Sequence, residues 1–108
     1  MKKIKLLVSD NFGNKIFTRN TISLFFEKLR KIKQEKIVLD FKGIDFISRS
    51  CADEYLKLKE KLKTKTLIEK NMSNEICSMF EVVENQYKNL GITYSMKNSI
   101  KNNCVIHA

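Results

Sequence analysis

At 108 residues the chain is long enough for one hydrophobic core and too short for two. Its 43% hydrophobic and 31% charged residues suit a folded domain and exclude a disordered chain, and no apolar run approaches the ~18 residues of a membrane-spanning helix. A formal net charge of +9 would attract nucleic acid or an acidic partner, but the basic residues are nearly all lysines spread along the chain, as at Lys57, Lys59, Lys61, Lys63 and Lys65. Few exposed aromatics interleave with them for base stacking, so the pattern reads first as a solvated surface.

Residues 3–8, KIKLLV, alternate and then turn apolar, which predicts a strand. The apolar core at 6–8 is too short for a signal peptide, so the expectation is an intracellular, cytoplasmic protein with no membrane association. Residues 9–14 are dense in turn formers, and 15–17 can return as a second, edge strand, so the first unit is expected to be a hairpin. Thr18 or Asn20 can cap a helix in which Ile22, Phe25, Phe26, Leu29 and Ile32 form one apolar stripe.

Residues 36–41 are β-branched and leucine-rich without alternation, as in a central strand covered on both faces. Asp40 ends that strand, Gly43 permits a turn, and the apolar stretch 44–47 leads to a second helix beginning near Ser50. Ser50 and Asp53 have the spacing of a variant capping box. Residues 65–69 predict a short strand, and Asn71 or Ser73 caps a third helix carrying Ile76, Met79, Phe80, Val83 and Tyr87. A last short strand is expected at 92–94, and 97–108 reads as a tail or marginal helix following a domain at 1–96. The order ββαβαβα implies an α/β sandwich, with a mixed sheet of four or five strands and three or four helices mainly on one face.

Side chains with chemical potential gather at 48–54. Ser48 and Ser50 stand beside the positive end of a helix dipole, a place that can hold a phosphate or dock a partner, and both can equally serve as plain helix caps. Asp53 and Glu54 are adjacent, so their side chains point about 100° apart and cannot readily share a proton. They read instead as first-turn acids that complement the dipole. Cys51 falls on the apolar stripe, which predicts a buried, inert thiol. Cys51, Cys77 and Cys104 are odd in number and far apart, so reduced thiols are expected, and the Cys104/His107 pair lacks a second pair of metal ligands. There is no glycine-rich phosphate loop and no hydrolase elbow, so the sequence is read as non-enzymatic, without metal or cofactor.

The segment IVLDFKGIDFISRSCADEYL, residues 37–56, resembles the central motif of STAS domains, the fold of bacterial anti-sigma factor antagonists. That family has a buried strand, an apolar pair, an Asp-Ser-Ser-Gly loop and then a helix. Aligned without gaps, Ser48 stands at the loop aspartate, Arg49 at the first serine, Ser50 at the serine that partner kinases phosphorylate, and Cys51 at the glycine. Ala52-Asp53-Glu54 is similar to the Ala-Asp-Glu of an uncharacterised prokaryotic STAS-like subgroup, a match that implies hydrogen bonds from the loop amides to Asp53. The resemblance covers roughly residues 1–95. It implies a STAS-like sandwich and a signalling role through Ser48, Arg49, Ser50, Asp53 and Glu54, switched by phosphorylation of the loop serine. The implied partner is a histidine-kinase-like ATPase or another regulatory protein. The alternative kept from the charge is a small basic nucleic-acid-associated regulator.

Overall fold

The computed structural model describes residues 3–16 and 18–91. Its elements run β1 (Lys3–Leu7), α1 (Ser9–Phe12), β2 (Lys15–Ile16), α2 (Arg19–Lys31), β3 (Lys36–Asp40), β4 (Phe46–Ile47), α3 (Arg49–Lys61), β5 (Thr66–Lys70) and α4 (Asn74–Asn89). Three strands form one sheet in the order β1-β3-β5, and β2 pairs with β4 in a second. Every ladder among the described residues is parallel. This is an α/β architecture, as the alternation of periods predicts, but the sheet is not mixed. The strand expected at 92–94 and the tail at 97–108 lie outside the described residues.

The expected hairpin does not form. Ser9, Asp10, Asn11 and Phe12 make a single helical turn instead, closed by Gly13 N–H donating to the Ser9 carbonyl at 2.8 Å, with Gly13 at φ 70°. A left-handed φ of this kind favours glycine. The turn carries the chain out of the first sheet, and β2 pairs with β4 rather than folding back on β1. Ile16 and Ile47, opposite each other in that short ladder, are both 2% exposed, so apolar burial holds the pair together.

β3 is central, as expected from its unbroken apolar run, and its last four residues are buried. Register places Ile4, Ile37 and Leu67 in one row and Leu6, Leu39 and Glu69 in the next. These rows share one face of the sheet, because strand side chains alternate. α3 lies on that face, where Tyr55 meets Phe41, with Phe26 of α2 and Phe80 of α4 against the same ring at 5.2 Å each. The opposite face carries Lys5, Leu7, Asp40 and Lys70, where Lys5 pairs with Asp40 at 3.3 Å.

Asp40 closes the end of the three-stranded sheet. Its carboxylate accepts from Asn71 Nδ2 and from Lys42 N–H, each at 2.9 Å. Asn71 sits at φ 59°, a conformation asparagine tolerates better than most residues. The Asn71 amide, the Lys42 amide and Lys5 hold the Asp40 carboxyl below the usual carboxylate range, although burial acts the other way.

Two lysines depart from the expected solvated surface. Lys59 is 3% exposed, and its Nζ lies 2.9 Å from Glu69 Oε2, while Tyr55 Oη donates to the same oxygen at 2.6 Å. Burial first, and then the neighbouring Glu69 carboxylate, push the Tyr55 hydroxyl well above the ordinary tyrosine range. Lys65 donates to the carbonyls of Ile32 and Gln34, tying the α3–β5 connection to the α2–β3 connection.

The cysteines divide as well. Cys51 is a buried free thiol, as expected, whereas Cys77 is disulfide-bonded. The expectation of reduced thiols therefore fails at Cys77, and cysteine usage gives no support for a reducing compartment.

Removing one member of a buried ion pair strands the other charge. Lys59→Met should lower unfolding free energy by about 3–5 kcal/mol, and the double change Lys59→Met with Glu69→Leu should recover part of that loss, the buried Tyr55 hydroxyl then lacking its acceptor. Urea denaturation of the three proteins checks this; a double variant less stable than Lys59→Met would contradict it.

Candidate partner-docking site at the start of helix α3

The β2/β4 ladder delivers the chain to this site. Ser48 N–H donates to the Ile16 carbonyl at 2.9 Å, extending the pairing by one step, and Ser48 then caps α3. Its Oγ accepts from Cys51 N–H at 3.2 Å, and its carbonyl accepts from Ala52 N–H at 2.9 Å. The helix thus begins at Arg49, one residue before the Ser50 start read from sequence, with its cap at Ser48. Ser48 takes the capping role and Ser50 moves into the first turn, so the Ser50/Asp53 capping box does not form.

The first turn has two sides. Cys51 and Ala52 are fully buried, which fixes its inner face against the core. Arg49 and Ser50 face outward and are exposed, while Ser48, Asp53 and Glu54 are half-buried. Ser50 Oγ lies 3.3 Å from Ser48 Oγ, so the two hydroxyls share a hydrogen bond at the helix start. The structure therefore brings Ser48, Arg49, Ser50 and Asp53 to one surface, and Glu54 beside them joins none of the ion pairs found among the described residues.

Asp53 does not bond the loop amides. Its carboxylate accepts from Tyr87 Oη near the end of α4, pairs with Lys57 Nζ at 3.0 Å one turn along α3, and meets Arg19 at the start of α2 at 3.4 Å. Tyr87 Oη also lies 3.2 Å from the Asp53 carbonyl. One carboxylate thereby joins three helices. Partial burial raises its pKa, but the Tyr87 hydroxyl, Lys57 and Arg19 outweigh that and hold the carboxyl below its ordinary value.

An open groove of about 510 Å³ runs along this junction, lined by Arg19 of α2, by Arg49, Ser50 and Lys57 of α3, and by Gln86 and Leu90 at the end of α4. Asp53 and Tyr87 also border it. Sequence reasoning missed Arg19, Lys57, Gln86, Tyr87 and Leu90. The Asp53/Lys57 spacing of four residues was a readable helical pair. Tyr87 is on the apolar stripe of α4, and nothing in that stripe marks a hydroxyl that reaches another helix.

The groove is open, with mostly apolar walls edged by charged side chains, which suits contact with another surface better than enclosure of a small substrate. Among the described residues no three of His, Cys, Asp and Glu gather closely enough to hold a metal ion, and no helix is long and apolar enough to cross a membrane. Comparison with protein-family models, curated proteins and solved structures finds no match to this chain.

The depressed Asp53 pKa sets the sign of a pH effect. Stability from this carboxylate is fully present above the unfolded-state value of ~3.9 and is lost as pH falls through the lower folded-state value. Asp53→Asn should therefore lower the midpoint of thermal unfolding at neutral pH, with the deficit shrinking as pH falls below about 4. Thermal melts of both proteins across this range decide the matter, and a deficit unchanged by pH would refute the assignment.

Proposed function

We propose that the chain is a non-enzymatic regulatory interaction module of the STAS-like type, acting in the cytoplasm. It docks a partner through Ser48, Arg49, Ser50, Asp53, Glu54 and the outer side of α3. The partner class that the resemblance suggests is a histidine-kinase-like ATPase, or another regulatory protein.

One observation carries the reading. Ser50 is an exposed hydroxyl in the first turn of α3, on the rim of an open groove where Asp53 also holds Arg19, Lys57 and Tyr87. Phosphorylation there would add about −1.5 to −2 charges at a helix N-terminus, where the dipole and Arg49 favour it. A docked partner would meet that dianion as repulsion and a desolvation cost. The modification would leave the buried Cys51/Ala52 side untouched, so the fold would persist while the interface failed. This is the physical requirement for a switch.

The net charge of +9 favours a second reading, a basic nucleic-acid-associated regulator, whose binding would fall steeply with added salt.

Affinity capture with wild type, Ser50→Ala and Ser50→Asp separates the possibilities. The proposal expects one protein to be recovered by wild type and Ser50→Ala and to be lost with Ser50→Asp. Equal recovery by all three would remove control at Ser50, and nuclease-sensitive recovery would favour the second reading.

A further inference from the structure

Building on the docking reading, we propose that the groove beside α3 takes an acidic segment of the partner, a run of glutamate or aspartate that also presents an aliphatic side chain. Among the described residues three cations border the groove, Arg19, Arg49 and Lys57, against one carboxylate, Asp53, a local balance of +2 (3 − 1). Arg49 is exposed and forms no ion pair among the described residues, so its guanidinium faces the groove's solvent with its five donors available.

Arg19 and Lys57 are held differently. Each spends part of its charge on Asp53, at 3.4 and 3.0 Å, yet their side chains remain 56% and 55% exposed. Asp53 therefore orients two long side chains without covering them. A partner carboxylate arriving there meets cations whose rotamers are already restricted, which lowers the ordering cost of binding. The polar rim encloses an apolar element, because Leu90 is 73% exposed where α4 ends and borders the same groove.

This combination favours an acidic polypeptide over a polynucleotide. Leu90 offers contact to an aliphatic side chain. Among the described residues the one aromatic ring bordering the groove, Tyr87, is 8% exposed with its hydroxyl engaged by Asp53, so it presents no face on which a base could stack. Complementary charge of this kind sets encounter rate and selects among partners.

Fluorescence anisotropy with a short fluorescein-labelled peptide of repeating Glu-Leu-Glu tests the assignment at moderate salt. Arg49→Glu should weaken binding by about tenfold relative to wild type. Lys63→Glu makes the same change of sign beyond the far end of α3, ~20 Å away, and should weaken it less than about twofold. Equal losses in the two variants, or no binding even at low salt, would overturn the proposal. A labelled oligothymidylate that binds more tightly than the peptide and depends equally on Arg49 would overturn it in favour of nucleic acid. Failure here leaves the Ser50 capture result standing, since capture reads a partner of any charge. Loss of control at Ser50 with Arg49-dependent peptide binding intact would instead remove the switch alone.

Discussion

Two residues of parallel pairing, Lys15 with Phe46 and Ile16 with Ile47, determine where α3 begins. The ladder is short, and its hold comes from burying both isoleucines in the common core and from the added bond between Ser48 N–H and the Ile16 carbonyl. Once Ser48 is placed, its side chain caps the helix, Cys51 and Ala52 turn inward, and Arg49 and Ser50 turn outward. The exposure of the site is thus a consequence of core packing some residues earlier. α1 contributes by carrying the chain from the three-stranded sheet to this second one.

Charge is used in three distinct ways along the same helix. Toward its end, Lys59 is buried with Glu69 and Tyr55, linking α3 to β5 inside the core. Such a pair adds little net stability compared with apolar packing, but it penalises any register in which the partners do not meet. Toward its start, Asp53 gathers Tyr87, Lys57 and Arg19, so that α2, α3 and α4 present one continuous surface. Arg49 stays outside both networks and is exposed. In the proposed docking Arg49 lies outside the Asp53 junction, so a modification at Ser50 would alter docking without loosening the fold.

Much of the architecture was legible from hydrophobic period. The stripe Ile22, Phe25, Phe26 and Leu29, the continuous run of β3, and the stripe Ile76, Phe80, Val83 and Tyr87 all mark buried faces in the structure. The hairpin error came from residues 9–12, because Ser, Asp and Asn favour tight turns and single helical turns alike. The two-residue β4 is too short to show a period. At the site, Ser48 and Ser50 were both plausible caps, and the choice depended on where β4 delivers the chain. The partners of Asp53 were hidden because Arg19 and Tyr87 lie 34 residues away on either side. Lys59 read as solvent-facing because its burial depends on Glu69, in a neighbouring strand whose inward face sequence did not reveal.

The central claim of the proposal is that the start of α3 and the groove beside it, and not the residues past the far end of the helix, meet another macromolecule. Photo-crosslinking in cells tests it most directly, with a benzophenone amino acid installed in place of Arg49 in one variant and in place of Lys63 in another. The account predicts a discrete crosslinked species from position 49 and none from position 63. No species from position 49, or the same species from both positions, would contradict it.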